Sequence, residues 1–419
     1  MNNEKHHLYN TIIIFFLLYL SLVVGFYFDE NLSYGAKADW FAGDLPVIRD
    51  LSIDLKHTIL NYDAYGHRHS PTYLVFLSLL KRIGFSFDVI RFIHLNISIS
   101  LILVFYKCLR IKFEEIDKNL LLVFACFIFL SPNFRSLAIW PSSRIIGLVF
   151  FTLSLTEFLK FKRYENKKYV WSNITLLILS SYLSPNFAVF YIYFLFHYLN
   201  KLNFRELFIL LTFSFISSIP FFYYIFILDV NFLLAKTPGF SEGNSVSLSF
   251  NFSDKILIIS SIVLFYFLPF LIDRKLISDF LLFTKKYALY LGLFFFGLVS
   301  LFDYRLNYTG GGVFFQSSIL LFNNNYLFYL ISFISISLIF FFSKNNINNF
   351  IIFFLLIISN VQNTIYHKYY DPFIVILLFS VLTKTGISNF FLIKKRIKYL
   401  YYYYIFYILM RLIKNNFYN

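Results

Sequence analysis

The stretch "TIIIFFLLYLSLVVGFYFDE", residues 11–30, determines the physical setting of the chain. It is apolar for long enough to cross a bilayer as a helix, and it ends in two adjacent carboxylates, Asp29 and Glu30. A carboxylate cannot stay in hydrocarbon without a partner, because its desolvation costs more than a single contact returns. The stretch therefore predicts a first transmembrane helix over residues 8–27, retained and not cleaved as a signal peptide, and a polar segment over residues 28–70 in water or at the interface.

The composition extends this setting to the whole chain. Of the 419 residues, 59% are hydrophobic and 14% are charged, whereas soluble domains carry about 25% charged residues. The apolar runs are continuous and of helical length, which favours an all-α integral membrane protein over an outer-membrane barrel. The net charge of +15 fits orienting Lys and Arg in cytoplasmic loops, so no nucleic-acid partner is expected. The two cysteines imply no disulfide framework.

The apolar runs predict about thirteen transmembrane helices in a single polytopic domain over residues 1–419. The pentapeptide "LSPNF" occurs twice, at residues 130–134 and 183–187. We interpret the two copies as similar helix exits and not as a repeat. The runs lie near residues 8–27, 89–106, 119–131, 145–159, 169–183, 187–199, 207–228, 256–272, 286–302, 325–343, 349–365, 372–383 and 398–413.

The run "PTYLVFLSLL", residues 71–80, is too short to cross and ends in Lys81 and Arg82, so it predicts an interfacial helix in the first outer loop. With this assignment the most basic loops fall on one face, which is then the cytoplasmic face. We therefore expect a multi-pass protein of the inner (plasma) membrane with a cytoplasmic N-terminus.

The first outer loop, residues 28–70, is rich in acids that are candidates for a general base. We interpret Asp44, Asp50 and Asp54 as solvated acids of an amphipathic surface helix. Asp39, next to Trp40 in "GAKADW", is preferred as the base, because a carboxylate at a partly dry membrane edge can have a raised pKa and accept a proton from a hydroxyl. Asp29 and Glu30, directly after helix 1, remain the alternative.

Cationic side chains also collect on this face, which lacks the orienting positive charge. Interfacial snorkelling would account for any one of them, but as a set they suit a phosphate or diphosphate. An acid and phosphate-binding cations on the outer face fit a lipid-linked phosphosugar, because soluble nucleotide sugars are not available there. The cations are His67, Arg68 and His69 in "YGHRHSP", Arg135 and Arg144 around "SLAIWPSS", Arg305 before "LNYTGGG", and His367 with Lys368.

Three sequence elements together resemble the multi-spanning GT-C glycosyltransferases, of the mannosyl- and aminoarabinosyl-transferase type, which take sugars from polyprenyl-phosphate donors. The elements are Asp39, the segment "HSPTYLVFLSLLKRIGFSFDVIRFIHL" from His69, and "LSPNFRSLAIWPSSRIIGLVFF" with Arg135 and Arg144. The similarity covers residues 8–200, and residues 201–419 add further transmembrane helices. The family's acidic pair "DE" is "DW" here, while a "DE" stands earlier at Asp29 and Glu30.

The resemblance implies a GT-C-like bundle with interfacial helices in the first outer loop. It implies that Asp39 deprotonates the hydroxyl of a lipid-linked or surface glycan acceptor, and that cations at helix exits hold the phosphate of the donor. With few hard ligands present, no cofactor is expected, and a divalent metal is not favoured. The substrate-binding residues implied are His69, Arg135, Arg144, His367 and Lys368.

Two other functions stay open. An O-antigen-type polysaccharide polymerase also uses Arg residues of outer loops, although it usually has a longer late outer loop. A flippase or transporter for lipid-linked sugars is the second alternative. Transporters tend to have internal repeats and broken helices at the bilayer midplane, whereas this chain has few glycines (14) and its charges lie mainly at helix ends.

Cysteine labelling tests the predicted topology. In a background without the two native cysteines, a cysteine at position 164 or 395 is expected to react only with reagents that enter the cytoplasm. A cysteine at position 45 or 370 is expected to react from outside. Labelling of position 45 from the cytoplasmic side alone would contradict the assignment of the first loop to the outer face.

Overall fold

The computed structural model confirms that the chain is helical. It describes residues 2–33, 35–66, 69–232, 251–304, 310–344, 346–360, 362, 364–385, 390–391, 393 and 396–417. Over these residues the chain is 82% helix and forms no strand. It divides into two compact units, the first made of Met1–Ser241 with Tyr401–Asn419 and the second of Glu242–Leu400.

The first unit contains twelve α-helices among the described residues, and most of the C-terminal helix α20 (Arg396–Phe417) also belongs to it. The others are α1 (Asn2–Tyr27), α2 (Gly35–Ala38), α3 (Leu45–Ile53), α4 (Leu55–Leu60), α5 (Pro71–Arg82), α6 (Phe87–Lys112), α7 (Lys118–Ala125), α8 (Pro132–Ile139), α9 (Ser143–Tyr164), α10 (Lys168–Leu183), α11 (Tyr191–Tyr198) and α12 (Phe204–Phe222).

The second unit is built around α13 (Phe252–Phe267), which is largely buried and contacts most of the other helices of the unit. These are α14 (Arg274–Lys286), α15 (Ala288–Ser300), α16 (Gly312–Phe322), α17 (Tyr326–Ser343), α18 (Ile347–Ile358) and α19 (Phe373–Ser380).

The predicted count of thirteen transmembrane helices is not confirmed by the described residues. Among the described residues, five helices are long and apolar enough, or up to seven if each of two bent helix pairs is one span. The five are Tyr9–Tyr27, Phe87–Lys112, Phe204–Ile227, Phe252–Phe270 and Tyr326–Ser343. The prediction counted runs shorter than the ~20 residues of a full span, and several of these form short or interrupted helices. These apolar helices indicate a helical membrane protein.

The segment after α1 is helical, as predicted for the first loop. It contains α2, a π-helical turn Asp39–Asp44, α3, α4 and α5. Helix α5 begins where Ser70 accepts a hydrogen bond from the backbone N–H of Thr72 and Pro71 takes the first helical position. With 12 residues, α5 is too short to cross. Its position at the interface remains a prediction.

Small residues allow α9 and α10 to pack closely. The Ser180 hydroxyl donates to the carbonyl oxygen of Gly147 over 2.8 Å. Further along the same helix pair, Nδ2 of Asn173 in α10 donates to the carbonyl oxygen of Ser154 in α9 over 2.8 Å. Oδ1 of Asn173 accepts from the Tyr198 hydroxyl of α11, also over 2.8 Å. Small residues and buried polar contacts of this kind are typical of helix interfaces in membranes.

Replacing Gly147 with leucine should therefore destabilise the first unit. A Cβ atom at this position would lie 3.1 Å from Cβ of Ser184 and 3.2 Å from Cε2 of Phe187, and overpacking typically costs about 1–3 kcal/mol. Thermal unfolding of the purified protein in detergent measures the effect. Gly292→Leu in α15 is the matched control, because nothing lies within 4 Å of its Cβ position. Equal unfolding temperatures for the two variants would contradict close packing at Gly147.

Candidate active site at the end of helix α1

Helix α1 ends in a Schellman motif that directs two neighbouring carboxylates to different partners. The N–H of Glu30 donates to the Gly25 carbonyl over 2.8 Å, and the N–H of Asp29 donates to the Phe26 carbonyl over 3.2 Å. Asp29 has a φ of 52°, in the left-handed region that Asp tolerates better than most residues. The reversal ends the apolar helix at the predicted place and fixes both acidic side chains.

Glu30 forms a two-point ion pair with Arg135. Nε of Arg135 lies 2.6 Å from Oε1 of Glu30, and Nη2 lies 2.7 Å from Oε2. The remaining donors of the guanidinium contact the Ser21 hydroxyl at 3.1 Å, the Ser21 carbonyl at 3.0 Å and the Phe129 carbonyl at 3.3 Å. Arg135 is only 4% exposed. This arginine thus ties α1 to α8.

The position of Arg135 corrects the prediction for residues 131–144, which we expected to form an outer loop with Arg135 at an exposed helix exit. Instead, Pro132–Ile139 form helix α8, all of whose residues are buried. The hydroxyl of Ser131 accepts from the N–H of Phe134 over 3.1 Å, and Pro132 takes the first helical position. The second "SP", at Ser184, likewise precedes a helical turn, Pro185–Phe190. The two "LSPNF" segments therefore mark helix starts as well as helix exits.

Asp29 lies between two cations. Its Oδ1 is 2.8 Å from Nη2 of Arg91, and its Oδ2 is 3.5 Å from Nζ of Lys37. Partial burial acts to raise the pKa of Asp29, but the hydrogen bond and charge of Arg91, helped by Lys37, outweigh it and lower the pKa below its ordinary value. The Asp29 side chain is 48% exposed, whereas that of Arg91 is 8% exposed. The result is an ionised carboxylate that solvent or a ligand can reach.

Trp140 holds the two cations in place. The Arg91 guanidinium lies 3.8 Å, and Nζ of Lys37 5.0 Å, from the centroid of its indole ring, and such cation–π contacts favour both positions. The indole N–H donates to the carbonyl of Glu30 over 2.9 Å. We name Asp29, Glu30, Lys37, Arg91 and Arg135 the acid–cation cluster.

A groove of about 620 Å³ adjoins this cluster along α1. A Cβ atom on Gly25 would lie 2.7 Å from Oε2 of Glu30 and 3.0 Å from Nη2 of Arg135. Glycine is therefore needed for the ion pair to approach the helix so closely. The groove combines apolar walls with a polar end, and its lining residues are Leu17, Leu20, Ser21, Val24, Gly25, Phe28, Glu30 and Arg135.

A second cluster corrects the interpretation of Asp44 as a solvated acid. The Asp44 side chain is only 2% exposed, and its Oδ1 lies 3.5 Å from Nδ1 of His69. Burial and then the negative charge of Asp44 raise the pKa of both Tyr62 and Tyr73. The Tyr73 hydroxyl lies 2.6 Å from Nδ1 of His94. The loop thus folds inward at Asp44, which ends the π-helical turn and lies near His69 and Tyr73.

Two other acids of the loop have structural contacts. Asp50 accepts a hydrogen bond from the Tyr65 hydroxyl over 2.7 Å. Asp54 caps α4 by accepting from the N–H of His57 over 2.9 Å, and acids are favoured at such helix starts. Asp39 begins the π-helical turn and is half-buried, and the neighbouring Trp40 is buried against Phe87, with ring centroids 6.4 Å apart.

The other residues predicted to bind the substrate lie far from one another in the sequence. Arg144 is in the first turn of α9, with its guanidinium 5.9 Å from the Phe187 ring. In the second unit, the ring of His367 lies 5.1 Å from that of Phe265, and Nζ of Lys368 lies 5.3 Å from the Tyr366 ring. His67, Arg68 and Arg305 lie outside the described residues.

The structure therefore brings Asp29, Glu30 and Arg135 into one cluster, and it pairs His69 with Asp44. Sequence analysis assigned no role to Lys37 and missed Arg91. An arginine in the second turn of an apolar helix, in "FDVIRF", was the available signal, since charged residues at such positions are costly and are usually paired. Among the residues that the structure describes, no three His, Cys, Asp or Glu side chains are placed to hold a metal ion.

The fold and its apolar helices place the chain in the general class of helical membrane proteins. Comparison with protein-family models, with curated protein sequences and with solved structures finds no match to this chain.

The Glu30–Arg135 pair should contribute strongly to stability. We expect Glu30→Gln or Arg135→Gln to lower the free energy of unfolding by about 3 kcal/mol, because each leaves a charged partner in a largely buried site. Chemical denaturation in detergent measures the loss, and the double variant should lose less than the sum of the single variants. Glu165→Gln, which breaks the exposed pair with Lys201, is the control and should be nearly silent. An unchanged midpoint for both single variants would contradict this role.

Proposed function

We propose that the protein is a membrane glycosyltransferase that moves a sugar from a polyprenyl-phosphate donor to a lipid-linked or surface glycan acceptor. The observation that carries the proposal is the exposed carboxylate of Asp29 between Arg91 and Lys37 at the end of an apolar helix. Sugar transfer from a phosphate needs a carboxylate to accept a proton and cations to stabilise the departing phosphate. The acid–cation cluster contains both.

The groove along α1 supports a lipid-linked donor. Its walls are mostly apolar, which suits an isoprenoid chain, and Glu30 and Arg135 of the acid–cation cluster line its polar end. A donor bound with its chain in this groove would present its phosphate close to the cluster. Because Arg135 already uses its donors within the chain, we assign the phosphate contacts in this cluster to Arg91 and Lys37. Arg144 stays a predicted contributor, and the role of Lys368, in the second unit, stays a prediction from sequence.

The proposed reaction is a single displacement. The acceptor hydroxyl oxygen attacks the anomeric carbon, the bond from that carbon to the phosphate oxygen breaks, and the hydroxyl proton passes to the carboxylate. The products are the glycosylated acceptor and polyprenyl phosphate. When the donor phosphate binds Arg91 and Lys37, its negative charge should raise the pKa of the Asp29 carboxyl, because it offsets the two cations that hold this pKa low in the free protein. Donor binding would thereby make the carboxylate a better base.

The proposal also includes the finer topology. The chain would be a multi-pass protein of the plasma membrane with a cytoplasmic N-terminus, which places Asp29 on the outer face. In a GT-C-like bundle, the shorter apolar helices would pack among the longer ones and raise the number of spans towards thirteen. The geometry favours Asp29 as the base over Asp39, the residue preferred from sequence.

Transfer assays with conservative variants test the proposal. Purified protein is supplied with labelled polyprenyl-phosphate sugars and acceptor lipids. Asp29→Asn should lower transfer by about 10²–10⁴, the usual contribution of a general base, while donor binding is retained. Asp50→Asn is the control, because it keeps an oxygen that can accept from Tyr65, and it should stay active.

Each other outcome has a definite meaning. If Asp39→Asn abolishes transfer and Asp29→Asn does not, the base is Asp39 and the assignment to α1 is wrong. If neither variant loses activity, the carboxylate chemistry proposed here is wrong. Transfer from a soluble nucleotide sugar would contradict the lipid-linked donor.

A further inference from the structure

A lysine-lined cavity lies in the second unit, separate from the acid–cation cluster. It has a volume of about 860 Å³ and lies against α14, the end of α17 and the segment after α19. This size falls within the range of about 300–1,000 Å³ that is usual for binding pockets. Its charged side chains are Lys275, Lys286, Lys344, Lys384, Asp273 and Asp279.

The charge of this cavity is strongly positive. Asp273 caps α14 by accepting from the N–H of Lys275 over 2.9 Å, and its Oδ2 lies 3.6 Å from Nη1 of Arg396. Its negative charge is therefore already offset by a residue outside the cavity lining, which leaves Asp279 to balance four lysines. Within the described part of the chain, no carboxylate lies within ion-pair distance of any of these lysines.

Aromatic rings hold two of the ammonium groups at the rim. Nζ of Lys344 lies 4.7 Å from the Phe341 ring and 5.4 Å from the Phe283 ring, and Nζ of Lys286 lies 5.3 Å from the Tyr287 ring. Cation–π contacts leave the ammonium hydrogens available to an anion. The rim therefore offers charge and apolar surface side by side.

The bend between α14 and α15 is compatible with a position of this cavity near lipid headgroups. The two helices meet at 78°, so where the 13-residue α15 enters the membrane along its normal, α14 would lie almost in the membrane plane. No residue of α14 is buried, and its apolar residues Ile277, Leu281 and Leu282 are 40–65% exposed beside the lysines. A helix with this distribution is typical of the membrane interface.

We propose that the lysine-lined cavity binds the headgroup of an anionic phospholipid. The four ammonium groups would contact the phosphate and other anionic oxygens, which lysine binds as a point charge. Leu282, Phe283 and Phe341 would lie along the start of the acyl chains. A zwitterionic lipid would bind less well, because its own cation would meet the lysines.

Spin-labelled lipids test this inference on the full-length protein. The protein is reconstituted in phosphatidylcholine bilayers with a trace of labelled phosphatidylglycerol or labelled phosphatidylcholine, and the motionally restricted fraction of each lipid is measured. The wild-type protein should retain phosphatidylglycerol preferentially, and the preference should fall as salt is added. Each of Lys275→Gln, Lys286→Gln, Lys344→Gln and Lys384→Gln should weaken the preference by up to about fivefold.

The controls separate this site from general surface charge. Lys107→Gln and Lys118→Gln remove exposed lysines of the first unit and should leave the preference unchanged. Equal effects of both sets, or no preference in the wild-type protein, would overturn the proposal. Inorganic phosphate at constant ionic strength is added as a competitor, and full displacement of the labelled lipid by it would show that the cavity binds free phosphate instead. Sugar transfer is not needed for any of these readouts.

Discussion

The ion pair between Glu30 and the buried Arg135 is the constraint on which the first unit depends. It joins the end of α1 to α8 by two short contacts and uses every donor of the guanidinium. With Glu30 fixed, the adjacent Asp29 must point the other way, towards Arg91 and Lys37. Trp140 completes the arrangement by donating to the Glu30 carbonyl while its ring lies beside both cations.

The C-terminal helix α20 also contacts the turn after α1. Nε of Arg411 donates to the Leu32 carbonyl over 2.9 Å, and Nδ2 of Asn415 donates to the Asn31 carbonyl over 3.1 Å. The Tyr401 hydroxyl donates to the Val123 carbonyl over 2.7 Å. The turn after α1 is thus held both by Trp140 and by the C-terminal helix. A binding site needs such rigidity to keep its charged groups in position.

Sequence reasoning succeeded where composition and local signals decide the structure. The apolar runs predicted a helical chain, the end of the first run predicted the end of α1, and the run from Pro71 predicted the short helix α5. It failed where contacts are distant in sequence. Asp44 seemed solvated because its partner His69 is brought near only by folding. Arg135 seemed exposed because nothing local shows that α8 is buried and bent by 70° from the preceding helix.

The sequence separation of 105 positions between Glu30 and Arg135 has a consequence for biogenesis. The ribosome delivers α1 and its acidic end long before α8 exists, so the nascent chain carries Glu30 without its arginine while the intervening helices are made. During that interval the carboxylate must stay hydrated, which holds the end of α1 near the membrane surface. Only when α8 folds inward can the pair close, so assembly of the first unit follows insertion of its helices as a separate step.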